Sequence, residues 1–220
     1  MIKILVSVAI FMMGLWLIRQ YLNDQRSIKH AKAQLFDEAS SLLDGAKLMQ
    51  EANDFPEVSG SFLGYEVKLS LIEDTLAVRK IPPLWLMVTV KGKVAIEGSF
   101  DLIVRPSNNE FYSPAWQWDG NLQVPSHWPQ HAVIKYQDRL VDVEKIDSLV
   151  PKLFADDHVK ELLITPSLLR ITYMAKQAER GEYLIMRNSV FSGEAIKVEI
   201  VEKVLKQAIE MRQLLEKDAV

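Results

Sequence analysis

The sequence contains no cysteine, and this absence excludes several kinds of chemistry at once. Without thiolates the chain has no disulfide, no cysteine nucleophile, no iron–sulfur cluster and no cysteine-ligated zinc. Its nine glycines form no phosphate-binding motif, which disfavours nucleotide chemistry. The net charge of −3 argues against a general nucleic-acid binder, which would normally be basic. We expect no cofactor and no nucleic-acid partner.

The acidic and histidine side chains form no recognisable catalytic motif. His127 and His131 are four residues apart, but a proline stands between them and the sequence has no zinc-protease motif there. We interpret them as two loop histidines. Asp101 and Arg105 share one strand face and could form a structural ion pair. Residues 156–158 suggest an acid–histidine pair, but no serine lies in a hydrolase-type nucleophile motif. Enzymatic activity is therefore disfavoured.

One long hydrophobic run is present, and it lies at the start of the chain. Residues 4–18 carry no charge, and these fifteen residues would extend roughly 22 Å as a helix. This length lies between a secretory core and a full membrane span. Arg19 can extend its charge to the membrane surface while its stem stays apolar. We therefore predict an uncleaved single transmembrane anchor over residues 1–22.

A cleaved signal peptide is the alternative interpretation of this run, because it also begins with a positive residue and an apolar core. No small-x-small cleavage pattern follows the core, which favours the anchor. Lys3 precedes the run, whereas Arg19, Arg26 and Lys29 follow it. The excess of positive charge after the run predicts a cytoplasmic globular domain. A domain on the opposite side of the membrane is the alternative.

The next segment, residues 23–55, has a helical pattern in which apolar residues recur every seven positions. We predict an amphipathic juxtamembrane helix here. Its stripe has two interpretations: packing against the globular domain, or self-association as a short coiled coil. Either way the stripe consists of Ile28, Leu35, Leu42 and Met49.

Residues 56–220 are predicted to form one globular α+β domain, with two lobes at 56–130 and 131–220 as an option. Alternating residues 65–71 and the apolar run 84–90 predict strands, the latter buried on both faces at its start. A third strand over 94–104 would complete an antiparallel meander with one solvated face. The domain is expected to contain a mainly antiparallel sheet.

Residues 106–130 form a long irregular stretch that holds four of the nine prolines and three of the five tryptophans. A loop of this length is usually functional or held down by its own side chains. Its aromatic residues would therefore pack inward, form a partner surface, or bind a glycan, lipid or peptide. These candidate contacts are Tyr112, Trp116, Trp118 and Trp128.

The C-terminal half predicts further strands and one secure helix. Strands are expected at 132–136, 161–165, 169–174 and 183–187. A helix over 167–177 is the alternative to the strand at 169–174. Residues 148–154 suggest a short helix with Pro151 in its first turn. Residues 193–217 predict a long amphipathic helix, capped by Ser192 and packed on the sheet.

No family resemblance is evident from these patterns. The leading prediction is a non-catalytic, single-pass membrane protein that acts as an accessory or assembly subunit of a membrane complex, with a protein partner or a second copy of itself. The first alternative is a membrane-tethered ligand-binding module that uses the tryptophan-rich loop. The second is an enzyme of unrecognised type.

Overall fold

The chain begins with a long helix that continues into the globular body. The structure, a computed structural model, describes residues 2–51, 54–76, 81–107, 110–139, 142–181, 183, 189 and 191–217. Helix α1 (Ile2–Ala33) has 32 residues, a length of roughly 48 Å. A 3-10 turn (Gln34–Phe36) and the short helix α2 (Asp37–Ser40) follow it. Among the described residues, no helix is both long and apolar enough to span a membrane.

The predicted juxtamembrane helix over residues 23–55 is wrong in its second half. Helical structure ends at Ser40, and strand β1 (Asp44–Met49) begins four residues later. Gly45 has a φ of +64°, a left-handed conformation that interrupts a right-handed helix and suits glycine. Residues 44–49 pair with the next strand instead. Residues 52–53 lie outside the described residues.

Within the described residues, nine strands form a single antiparallel sheet. The strand order is β1-β2-β3-β4-β9-β8-β5-β7-β6. Strands from both predicted lobes therefore belong to one sheet. Besides β1, the strands are β2 (Glu57–Phe62), β3 (Tyr65–Glu73), β4 (Pro83–Lys91), β5 (Ser99–Val104), β6 (Gly120–Leu122), β7 (Ala132–Gln137), β8 (Val159–Thr165) and β9 (Leu168–Gln177).

Several predicted strands are confirmed. β3, β4, β7, β8 and β9 lie where alternation and apolar runs indicated them, and β4 is buried along its first six residues. Strand β9 replaces the alternative helix over residues 167–177. The predicted turn at 165–167 joins β8 to β9, where the Thr165 hydroxyl oxygen accepts from the Leu168 N–H at 3.2 Å. Of the predicted strand over 183–187, Tyr183 is helical and residues 184–187 lie outside the described residues.

The predicted meander through residues 94–104 is wrong. Only residues 99–104 are extended, and β5 pairs with β7 and β8 rather than with β4. β9 and β8 lie between β4 and β5 in the sheet. Every residue of β5 is buried, so neither of its faces is solvated. Both sides of the central sheet are covered, one by a helix and the other by a loop.

The predicted C-terminal helix packs on one face of the sheet, as expected. Helix α4 (Val198–Lys217) follows the short α3 (Val150–Phe154), which has proline in its first turn. The α4 residues Val201, Val204, Leu205, Ala208 and Leu215 are fully buried in the main core. The helix starts later than predicted, and Ser192 does not cap it. Instead the Ser192 carbonyl and hydroxyl oxygens accept from Lys176 Nζ at 3.0 and 2.9 Å.

Candidate functional site

The sheet face opposite α4 is covered by residues 105–107 and 110–118, which we name the covering loop. Alternation along β5 separates the two environments: Phe100, Leu102 and Val104 enter the main core, whereas Asp101 and Ile103 point toward the covering loop. The register places Asp101 opposite Leu163, and Glu161 opposite Thr172. The loop therefore lies over a layer that contains charged side chains.

We name this layer the ionic layer, and its centre is the ion pair between Glu161 and Arg170. Glu161 is completely buried. Arg170 donates from Nε to Oε2 at 3.1 Å and from Nη2 to Oε1 at 3.0 Å. The Thr172 hydroxyl donates to the same carboxylate. Arg170 Nη2 also donates to the carbonyl of Tyr112 at 3.2 Å. The pair thus joins β8 and β9 to the covering loop.

Asp101 is the second carboxyl group of the ionic layer. Its Oδ2 accepts from the Ser113 hydroxyl at 2.6 Å, and the Ser113 oxygen in turn accepts from Ala115 N–H at 3.0 Å. Burial raises the pKa of Asp101 well above its usual range, and the nearby Glu161 carboxylate raises that pKa further. Oδ1 has no donor among the described residues. A proton on this carboxyl group allows Asp101 to form a hydrogen bond with Glu161.

Replacing Asp101 with asparagine should flatten the pH dependence of stability. Because the folded pKa is raised, the folded state binds the proton more tightly, and stability falls as pH rises above about 4, the ordinary pKa of aspartate. Asparagine keeps the shape and the hydrogen-bonding atoms but does not titrate. Urea unfolding across a pH series checks this expectation. Equal slopes for the Asp101→Asn variant and the parent chain would contradict it.

A second buried ion pair fixes the start of the covering loop. Lys160 Nζ lies 2.8 Å from Glu110 Oε1 and donates to the carbonyls of Val104 and Arg105 at 3.1 and 2.7 Å. Burial opposes ionisation of Glu110, but Lys160 and the Ser107 N–H outweigh this effect and lower its pKa. The ionic groups therefore hold a loop in place. These groups are buried and paired with one another, as in a structural cluster.

The four aromatic residues of the tryptophan-rich stretch do not form one exposed surface. Trp128 is 2% exposed, its ring lies 6.4 Å from that of Phe100, and its Nε1 donates to Asp147 at 2.8 Å. Trp118 is also buried, in the small cluster beneath the covering loop. Tyr112 is half-buried, and Trp116 is 37% exposed. Of the four tryptophan and tyrosine side chains, Trp116 offers the most surface, and its contact with a partner stays a prediction.

The four residues of the predicted stripe lie on different elements. Ile28 is on α1, Leu35 is in the 3-10 turn, Leu42 is in the turn after α2, and Met49 is on β1. Leu35 is buried and Leu42 packs partly against the core. Ile28 and Met49 are exposed. A coiled-coil seam through all four is therefore wrong, because no single helix carries them. Self-association of the chain stays a prediction.

The remaining candidates form structural contacts. Arg105 does not pair with Asp101: its guanidinium donates to the carbonyls of Asp157 and Val159 at 2.7 and 2.8 Å, because β5 ends before Arg105, which has a φ of +49°. His127 Nε2 lies 2.5 Å from Asp147 Oδ1. Across the described part of the chain, no cluster of three metal-ligating side chains occurs.

The expected acid–histidine pair is present and ties α4 to the sheet. Asp156 Oδ1 lies 2.9 Å from His158 Nδ1, and its Oδ2 accepts from Lys203 Nζ at 2.6 Å. Partial burial opposes ionisation of Asp156, but these hydrogen bonds outweigh it and hold its pKa well below the usual range. The His158 ring stacks on Tyr173 at 5.5 Å. The group therefore joins three elements of the fold.

An open depression lies where α1 meets the globular body. The end of α1 is held there by Lys32, whose Nζ lies 4.3 Å from the centre of the Phe55 ring, and by Gln50, which donates to the carbonyl of Lys29 at 3.2 Å. One apolar cleft of about 340 Å³ lies between Ile28, Leu35 and Phe55. A second depression of about 610 Å³ adjoins it. We name the second one the acidic groove.

The acidic groove combines apolar and carboxylate side chains from four segments of the chain. Its apolar wall includes Met49 and Phe111, and its carboxylates are Glu51, Asp54, Glu57 and Glu73. Sequence reasoning missed this site, apart from Met49. The groove residues belong to no motif, and they meet only because the ends of β1 and β3 lie near Phe111 of the covering loop.

No protein-family model matches the chain, and no curated protein matches it either. The N-terminal helix, the antiparallel sheet and the C-terminal helix packed on it nevertheless define an α+β fold that occurs among solved structures. One similar structure is the crystal structure of the mycobacterial trehalose monomycolate transport factor A, TtfA. The TM-score is 0.50 at 12% sequence identity, over 84% of this chain and 96% of that chain. At this identity, the likeness is one of fold.

Proposed function

We propose that this chain is a membrane-anchored, non-catalytic accessory subunit of a membrane complex. The observation that carries the proposal is the surface of α1. From Ile10 to Leu22 its large apolar side chains are exposed, among them Phe11 (66%) and Trp16 (62%). Exposed apolar surface of this extent marks an interaction with lipid or protein. A lipid bilayer around residues 4–18 accounts for it.

The two ends of α1 have different surroundings, and this difference supports a membrane anchor joined to a folded domain. The C-terminal end contacts the globular body through Lys29 and Lys32, whereas the exposed apolar residues lie further toward the N-terminus. The helix would therefore connect a membrane segment to the folded domain without a flexible linker. Lys3 before the apolar run, against Arg19, Arg26 and Lys29 after it, supports a domain on the cytoplasmic side.

The fold likeness supports a role beside membrane transport. The similar solved structure is named as a transport factor for trehalose monomycolate. A fold alone does not transfer a function, so the substrate is not carried over. We propose the broader role of assisting a membrane complex in the movement of a lipid or other cargo. The buried ionic layer supports a non-catalytic role, because its carboxylates are engaged in holding the covering loop.

A ligand-binding role for the tryptophan-rich loop has less support. Trp118 and Trp128 are buried and help to hold that stretch of chain against the sheet. Only two aromatic residues of the described stretch, Phe111 and Trp116, are exposed. They offer a glycan or lipid less surface than the four predicted aromatic contacts together would. This role stays the second candidate.

Purification of the full-length chain from native membranes in mild detergent tests the proposal. We expect the chain to elute in a complex clearly larger than its own mass of 25.1 kDa, with the same partner in independent preparations. C-terminal reporter fusions should be active on the cytoplasmic side. A lone monomer that turns over substrates in an activity panel would contradict the proposed function.

A further inference from the structure

The acidic groove has the composition of a docking surface. Its apolar side chains Met49 and Phe111 are 57% and 52% exposed, which is unusual for side chains of this size. Among the described residues that line the groove, four carboxylates and one ammonium group, that of Lys32, lie around them. Glu57 pairs with Lys68 at 2.7 Å. Among the lining side chains, negative charge therefore exceeds positive charge.

We propose that the acidic groove binds a basic, amphipathic juxtamembrane segment of a partner membrane protein. This inference deepens the proposed function and rests on it, including the cytoplasmic side of the domain. Apolar side chains of the segment contact Met49 and Phe111, and its lysine and arginine residues face the carboxylates. Complementary charge of this kind steers association and fixes the register of the bound segment.

The position of the groove favours such an occupant. Lys32, near the end of α1, lines the groove and is the fourteenth residue after Ile18. Along a helix this separation corresponds to roughly 21 Å. Cytoplasmic lysine and arginine residues are enriched within about 15–20 residues of a transmembrane helix. The groove therefore lies at the distance from the membrane where a partner carries this charge.

The same charges argue against an anionic phospholipid as the occupant. Anionic headgroups would face the carboxylates of Glu51, Asp54 and Glu73, which repel them. A second copy of this chain would present residues 19–32, whose C-terminal end is already engaged with its own domain through the Lys29 carbonyl and Lys32. A basic segment of a different protein satisfies both the apolar wall and the carboxylates.

Photo-cross-linking in native membranes tests this inference. The full-length chain carries p-benzoylphenylalanine in place of Phe111 and is produced in cells that make the protein naturally. After irradiation, mass spectrometry identifies the attached peptide. We expect a peptide from another membrane protein, within about 20 residues of a transmembrane span and with an excess of lysine and arginine. The same probe in place of Leu63, which is exposed in the turn between β2 and β3, should not give this adduct.

Charge variants provide the matched comparison. Glu51→Gln combined with Asp54→Asn should lower the yield of the Phe111 adduct about three- to tenfold, because surface ion pairs each contribute modestly to binding. Asp44→Asn combined with Glu66→Gln removes the same amount of charge at the opposite end of β1 and β3. We expect this control to leave the yield of the Phe111 adduct unchanged. Unchanged melting temperatures show that both variants are folded.

The outcomes separate this inference from the function on which it rests. An adduct with lipid alone, with a second copy of this chain, or with a peptide that lacks basic residues overturns the groove proposal, and so does the absence of any protein adduct. These results leave the proposed function standing if the chain stays in the membrane fraction of the same sample. Loss of the chain from that fraction overturns both.

Discussion

Replacing Arg170 with methionine should lower the free energy of unfolding by about 3–5 kcal/mol, because Glu161 would keep a buried charge without its cation. Glu161 is completely buried, and Arg170 gives it two parallel hydrogen bonds. The variant also loses the contact that Arg170 makes with the covering loop through the Tyr112 carbonyl. Urea denaturation of the purified chain measures the change.

Two comparisons show whether the lost charge pairing causes this effect. Replacing both partners, Arg170→Met with Glu161→Leu, should recover at least half of the lost stability, because no unpaired charge remains. Glu66→Gln breaks an exposed pair with Lys91 and should cost at most about 1 kcal/mol. A loss below about 1 kcal/mol for Arg170→Met alone would contradict the structure of the ionic layer.

Trp128→Ala should also lower stability by about 3–5 kcal/mol, because it opens a cavity in the main core. The substitution removes the edge-to-face contact with Phe100 and the hydrogen bond to Asp147. Trp116→Ala changes the same residue type in the same stretch of chain, but at a site that is 37% exposed. We expect it to cost less than about 1.5 kcal/mol.

Melting curves of the two tryptophan variants distinguish the roles of these side chains. Similar large losses would mean that both rings are structural, whereas similar small losses would contradict the burial of Trp128. If Trp116→Ala keeps its melting temperature and weakens an interaction of the native complex, the exposed ring belongs to a partner contact.

The sequence predicts those elements whose patterns are local. Alternation predicts β3, apolar runs predict β4 and β8, and the wide apolar stripe predicts α4, because each pattern follows from how one element buries one face. The seven-residue spacing of Leu35, Leu42 and Met49 was misleading. That segment crosses from a helical turn into β1, whose extended state depends on pairing with β2 rather than on its own residues.

The candidate site depends on contacts that local patterns do not contain. Asp101, Glu161 and Arg170 come from β5, β8 and β9, and only the strand order brings them together. The composition of residues 106–130 predicted a loop rich in tryptophan but not which rings would turn inward. The acidic groove likewise joins the ends of β1 and β3 to the covering loop, whose positions follow from the completed sheet.

The most direct test of the central claim is alkaline carbonate extraction of native membranes, combined with sequencing of the amino terminus of the extracted protein. If residues 4–18 anchor the α+β body in a bilayer, the full-length chain should stay in the membrane pellet and still carry those residues. Release of the intact chain into the supernatant, or a mature amino terminus beyond Arg19, would contradict the account.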